Sequence, residues 1–248
     1  MPPPPPPPAA RYTSVDRGTL EDANAGRVAI MPTALTPPAG TWSFEDEELF
    51  LIGASYAVSD QFLISASTMI PITSDFYWGF ISGKLQVLKQ GRLRAALQAG
   101  AFGVYAQSTS TDSTGNTTTS SSDSASAFEV GGAATYCLDD DCFSHVDGAV
   151  VAGFAHQSNS SVPVGFMGGV VARISNRVRL VVEADTGHVF GKLSGQANGF
   201  LGWYGLRFTS KNIAVDLELV KPFCGGSSCD GGPPVGLPFV AFSYRGLD

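Results

Sequence analysis

The chain has 248 residues, 44% of them hydrophobic and only 15% charged, with 29 glycines and a net charge of −7. Soluble domains carry about 25% charged residues and about 7% glycine, so both shifts favour a barrel wall with many outward apolar and small residues. The acidic balance gives no basic footprint for nucleic acid, and no run of about eighteen apolar residues exists to make a membrane-crossing helix.

The N-terminus begins with Met1 and seven prolines, then turns polar. Residues 1–25 read as an extended tail without a core of its own, and residues 26–248 as one domain. The start has neither the basic residues nor the apolar stretch of an export signal. An outer-membrane protein needs such a signal, so the chain is a mature or truncated form or it is not a membrane protein.

Beyond the tail, helical periodicity is almost absent and period-2 patches recur between turn residues. Strands are expected at 27–36, 46–57, 62–70, 76–88, 92–107, 127–136, 145–156, 164–174, 177–186, 199–208, 213–221 and 238–245. Most have the roughly nine to eleven residues that a tilted strand needs to cross a bilayer. Short connections alternate with long ones. Val58–Gln61, Lys89–Gly91, Cys137–Ser144, Ser175-Asn176 and Thr209–Asn212 are short; Ser108–Ser126, Gln157–Pro163, Gly187–Asn198 and Pro222–Leu237 are long. Tight periplasmic turns and long external loops are the habit of outer-membrane barrels. The expected fold is therefore all-β: a closed, antiparallel, up-and-down transmembrane barrel of twelve strands.

The cysteines form two C-x4-C pairs without zinc-finger histidines, so no metal site is expected. Parity puts the pairs at opposite ends of the barrel, and a disulfide needs Cα atoms within about 7 Å. Cys137–Cys142 and Cys224–Cys229 are the expected bridges, in an oxidising compartment.

Alternation also separates two faces. Arg92 and Arg94 oppose Leu93, Ala95 and Leu97; Arg177, Arg179, Glu183 and Asp185 oppose Val178, Leu180 and Val182; Asp216 and Glu218 oppose Ile213, Val215, Leu217 and Leu219. A charge facing lipid at mid-membrane costs about 2–4 kcal/mol for Arg or Lys. These sets are therefore assigned to the lumen, with Lys84, Gln86, Glu129, Asp147 and Arg207. They either fill and lock the interior or form a constriction for small polar or charged solutes. A soluble secreted β-protein, with the apolar face inside, is the inverse arrangement. Aromatics such as Phe76, Tyr77, Trp78, Phe128 and Phe154 near one set of strand ends, and Tyr56, Tyr136 and Tyr244 near the other, suggest two interfacial girdles meeting lipid. Gly225-Gly226 and Gly231-Gly232 lie outside any strand–loop–helix context, so no cofactor is expected. His145 and His188 read as interfacial or loop residues. Asp139-Asp140-Asp141 reads as a solvated turn, with a cation site the alternative.

Met31-Pro32-Thr33-Ala34, Phe50 through Asp60, Ala214 through Leu217 and Leu237 through Arg245 resemble segments of uncharacterised, porin-like bacterial outer-membrane barrels. That resemblance spans about residues 27–245 and implies the fold and the location without an activity. His156-Gln157-Ser158-Asn159 is similar to the His-x-Ser-Asn segment of outer-membrane phospholipase A and lipid A deacylases. It implies, as an alternative, a lipid-acting serine hydrolase in which His156 takes the proton of Ser158. The third group that would orient the imidazole is missing downstream.

Overall fold

Twelve antiparallel strands close on themselves, each paired with its chain neighbours and β1 with β12. The computed structural model describes residues 16–48, 51–69, 76–111, 117–155, 162–190, 199–224 and 235–247. The strands are β1 Thr41–Glu47, β2 Leu51–Ala57, β3 Phe62–Met69, β4 Phe76–Gln90, β5 Leu93–Thr111 and β6 Thr117–Cys137. They continue with β7 His145–Ala155, β8 Val162–Arg173, β9 Val178–Phe190, β10 Gly199–Thr209, β11 Ile213–Cys224 and β12 Leu237–Leu247. One short helix, α1 (Arg17–Glu21), precedes them.

The two faces have the polarity of a membrane barrel. Along β11, Ala214, Asp216 and Glu218 are buried inside, whereas Ile213 and Leu217 stand on the outer surface. Leu97, Phe128, Val150, Phe166, Leu206 and Val240 are exposed with them around the wall. A contiguous apolar belt of this extent is unsuited to water, and closure pairs every edge as hydrocarbon requires. The soluble inverse is thereby excluded, and the fold is that of bacterial outer-membrane barrels. Tyr56, Tyr77, Phe128, Tyr136, Phe154 and Tyr244 lie outside, as girdles need. Trp78 does not; it packs edge-on against Phe102 at 5.7 Å and lines a lumenal cavity.

The first expected strand, 27–36, is not in the wall. Its backbone folds back at Val28, whose amide donates to the Met31 carbonyl at 2.9 Å, and Pro32 has no amide to give a ladder. The strand count is restored because the stretch 46–57 contains a hairpin end. Glu48 adopts φ 56°, and β1 and β2 pair from Trp42–Tyr56 to Glu47–Leu51. Only residues 48–50 connect them, so the expected long connection there is absent and the alternation of loop lengths breaks at this one place.

The expected long loop Ser108–Ser126 is also corrected. β5 and β6 run to 19 and 21 residues and stay paired as far as Thr111–Thr117. Threonine's β-branched side chain suits an extended ladder, so a Ser/Thr-rich stretch extends the hairpin instead of ending it.

Cys137 and Cys142 are bonded in the β6–β7 turn and buried. Cys229 lies outside the described residues, so the second expected bridge does too. The short Cys137–Cys142 loop restrains the unfolded chain by about 2 kcal/mol in the loop-entropy account. Replacing both cysteines with serine is expected to lower the urea midpoint of the detergent-solubilised barrel correspondingly. Reductant is expected to leave the buried bond intact while the barrel stays folded, and to lower the midpoint toward that of the serine variant when it is present during unfolding.

Candidate functional site

Residues 16–40 occupy the short-turn half of the lumen as a plug. The Gly18 amide donates to the Asp141 carbonyl and Ala23 to Ser210, both in short turns; on the way out, Gly40 donates to Ala57. The segment thus enters and leaves at the same mouth, with its bend deep in the barrel. α1 lies so close to the disulfide turn that a Cβ on Gly18 would sit 2.2 Å from the Cys142 carbonyl oxygen. At the bend, Val28 and Met31 pack with Val171, Val181, Trp203 and Phe239 of the far wall. A Cβ on Gly169 of β8 would be 2.9 Å from Val28. Thus part of the tail expected at 1–25, from Asp16 onward, is packed inside; residues 1–15 lie outside the described residues.

An irregular backbone at membrane depth must find its hydrogen-bond partners in protein. The lumenal charges supply them. Lys84 donates to the carbonyls of Leu35 at 2.7 Å and Thr33 at 3.1 Å. Gln86 donates to Ala34 at 2.7 Å. Arg207 Nη1 donates to the carbonyls of Asn24 and Arg27, Nη2 to the Val28 carbonyl and to Asp216 at 3.0 Å, and Nε to Asp216 at 2.7 Å. Arg245 reaches Thr19 and Leu20 at 2.6 Å and Asp22 at 3.0 Å. The Glu183 carboxylate accepts the amides of Ala29 at 2.7 Å, Met31 at 3.0 Å and Ile30 at 3.3 Å. Asp16 is held bidentately by Arg94 at 2.9 and 2.7 Å.

Most of the expected lumenal set is therefore found inside, and Lys84, Gln86, Arg94, Arg179, Glu183, Arg207 and Asp216 meet the plug. Arg179 reaches Asp22 at 3.1 Å and the Phe143 carbonyl at 2.8 Å. Asp185 accepts from Trp203 Nε1 at 2.7 Å. Asp147 lies 2.5 Å from both His145 Nδ1 and Thr135 Oγ1. Glu129 is half-buried on the inner face of β6. Glu218 is buried, with no hydrogen-bond partner for either oxygen among the described residues.

Two residues are corrected. Arg92 is exposed in the β4–β5 turn and pairs with Asp140 at 2.7 Å. Arg177 is exposed in the β8–β9 turn. Both precede their strands, so the alternation that orients Arg94 and Arg179 does not govern them. His145, expected at an interface or in a loop, is buried against Asp147. Asp139 caps its own turn by accepting the amides of Phe143 and Ser144 at 2.8 Å. His156 and Ser158 lie outside the described residues.

Sequence reasoning missed Asp22, Asn24, Arg27, Arg245, Glu45 and Glu47. The alternation of Ser243 and Arg245 with Phe242 and Tyr244 could have placed Arg245 inside. Asp22 and Asn24 carry no such signal, because polar residues after a proline tract look the same whether solvated or docked.

Burial alone would raise the Asp22 carboxyl, but the Arg207 and Arg179 guanidiniums overcome it and hold its pKa at about 2. Its folded value lies below its ordinary 3.8, so its contribution, about 2–3 kcal/mol, is complete above about pH 4 and lost as pH falls toward 2. Protease cleavage between residues 16 and 40 is expected to rise over that window. Asp22→Asn is expected to show high cleavage already at neutral pH.

The plug fills one side of the lumen. Beside it, against β1–β5, a cavity of about 270 Å³ remains. Its polar lining includes Arg27, Lys84, Glu45 and Glu47, with Ser55 and Ser65 on the wall. Arg27 pairs with Glu47 and lies 3.6 Å from Glu45. The four charges balance.

No family model and no curated protein matches the chain. Among solved structures it is similar to the KdgM porin in complex with disordered oligogalacturonate, at 9% identity and a TM-score of 0.50, over 83% of this chain and 95% of that one. It also matches Omp33 of Acinetobacter baumannii, at 8% identity and a TM-score of 0.41, over 84% of this chain and 96% of that one. A loop-deletion mutant of OmpT, an outer membrane protein of Vibrio cholerae, matches at 16% identity and a TM-score of 0.42, over 79% and 62%. The KdgM likeness covers most of both chains, and what it establishes is the fold: a β-barrel of the outer-membrane type.

Proposed function

We propose that the protein is a non-enzymatic outer-membrane barrel that its own N-terminal segment narrows to a passage for small polar solutes. The observation that carries this reading is the cavity beside the plug, with charges of both signs and serine hydroxyls facing the same space. Most lumenal charge is engaged in holding the plug, so the residues left to meet a solute are Arg27, Glu45, Glu47 and the wall serines. That KdgM, of like fold, was solved with an oligogalacturonate supports a polar class of cargo.

The test is conductance in planar bilayers. The full chain is expected to give small, weakly selective unitary currents. Glu45→Gln with Glu47→Gln leaves Arg27 and Lys84 unbalanced, so the reversal potential is expected to move toward anion preference. Absence of current in both proteins would leave a structural barrel in place of a channel.

A further inference from the structure

The disulfide turn between β6 and β7 meets the plug at four points along its length. Near the start, the Gly18 amide donates to the Asp141 carbonyl at 2.6 Å. Next, the Phe143 carbonyl accepts from Arg179 Nη1 at 2.8 Å, and Arg179 Nε lies 3.1 Å from the Asp22 carboxylate. Further on, Ala25 and Leu35 pack against Cys137 and Cys142 themselves. These two plug residues and both cysteines are at most 3% exposed. The turn is therefore a seat for the plug as well as a link in the wall.

The shape of that seat depends on one residue in an unfavoured conformation. Cys142 has φ 58°, in the left-handed region that residues with a side chain rarely adopt. Its carbonyl is the one that α1 rests on, 2.2 Å from where a Cβ on Gly18 would be. The Asp139 carboxylate fixes the β7 side of the turn by accepting the Phe143 and Ser144 amides. The Cys142 amide itself reaches the Asp139 carbonyl at a longer 3.3 Å. Cys137 is the firm end: its amide donates to the Arg92 carbonyl at 2.8 Å, and it pairs with His145 across the ladder. The covalent tie to Cys137 is what holds Cys142 in its conformation. Burial has a second consequence. Thiol–disulfide exchange requires a thiolate to reach a sulfur, and with Ala25 and Leu35 packed over the pair neither an oxidant nor a reductant reaches it. The bond therefore forms before the plug docks, and the docked plug keeps it closed.

We infer that Cys137–Cys142 is a redox latch for the plug: its oxidation precedes and permits the docking of residues 16–40, which then shield it from reduction. In the step itself, one cysteine thiolate attacks a donor disulfide, from a protein or from glutathione, and the second thiolate displaces the mixed disulfide. The donor takes up the two electrons and two protons that the cysteines lose and leaves as two thiols. The reduced chain is a closed barrel with residues 16–40 undocked. The latch acts on the position of the plug and needs no solute to pass beside it. The competing outcome is that the bond only braces the β6–β7 hairpin of the wall.

The full chain is refolded from urea into detergent with oxidised glutathione or with a phosphine reductant, and heat-modifiable gel migration reports the barrel. The reagent is removed, peptide masses confirm the state of Cys137 and Cys142, and protease cleavage between residues 16 and 40 is timed. The latch predicts cleavage several-fold faster in the reduced barrel, slowed to the oxidised rate once oxidised glutathione is added. Cys137→Ser/Cys142→Ser is expected to be cleaved at the reduced rate under both conditions. Cys137→Ser/Cys142→Gly is expected to fall between, since glycine accepts the positive φ without the bond; bracing of the wall alone predicts no such rescue. Shielding is read separately. Folded, oxidised protein is held with dithiothreitol, and free thiols at Cys137 and Cys142 are trapped with iodoacetamide and counted by peptide mass. Reduction is expected to be several-fold faster in whichever of Asp22→Asn and Arg207→Met raises cleavage than in the unsubstituted chain. Equal cleavage of oxidised and reduced barrels would overturn the latch, as would reduction that is no faster once the plug is loosened. A reduced chain that forms no barrel would do the same, since the bond would then serve the wall.

Discussion

Truncation to begin at Thr41 is expected to give a barrel that still closes but conducts several-fold more current than the full chain. The wall starts at Thr41, which pairs with Leu247, and the ladders from β1 round to β12 contain no residue before it. Closure therefore needs nothing from residues 16–40. Their removal does lose favourable terms. Burial of Val28, Met31 and Leu35, each below 2% exposed, contributes about 1.5–3 kcal/mol per side chain. The cations that hold the plug lose their plug partners, although Arg207 keeps Asp216 and Arg179 keeps the Phe143 carbonyl, and they come to face a water-filled lumen instead of a dry one. The truncated barrel is thus expected to migrate as a folded, heat-modifiable species with a lowered urea midpoint. Unitary conductance is the deciding measurement. A truncated barrel that folds and conducts no better than the full chain would mean that residues 16–40 do not restrict the lumen.

The sequence made the wall legible because a membrane barrel writes its two faces as alternation. From β3 onward the strands fall near their expected places, apart from the β5–β6 hairpin that runs on through the expected loop, and Arg94, Arg179, Glu183, Arg207 and Asp216 turn inward as the cost of charge in lipid demands. The plug was illegible for the same reason. Val28, Met31 and Leu35 sit among small residues in a stretch that imitates a strand, and nothing local distinguishes a bend packed inside a lumen from a strand beside it. Most of the acidic run Glu45–Glu48 likewise falls within the single expected strand 46–57, because its inward members face a polar interior and nothing in the run marks the turn that follows Glu47. What the charges are for was unreadable until their partners were known. A lysine donating to three carbonyls 49–58 residues away leaves no mark in a period-2 pattern.

Among single substitutions, Arg207→Met is expected to cost the most. Arg207 is fully buried and joins wall to plug: a two-pronged contact to Asp216 on one side, the carbonyls of Asn24, Arg27 and Val28 on the other. Methionine fills much of the volume but leaves Asp216 with only the Asn24 amide at 2.8 Å. Asp22 keeps Arg179 and Thr209. Removing one member of such a buried set costs about 3–5 kcal/mol, because the remaining charge stays desolvated. The loss should fall on the plug before the wall. Protease cleavage between residues 16 and 40 is expected to rise at neutral pH, with heat-modifiable migration unchanged. Arg207→Lys keeps the charge without the fork and is expected to fall between the two. The double variant Arg207→Met/Asp216→Leu removes the stranded carboxylate and should recover part of the urea midpoint. Recovery should stay incomplete, since three plug carbonyls still lack their donor. Full recovery would show that Arg207 serves only to neutralise Asp216. Cleavage unchanged in the single variant would show that the plug is held without it.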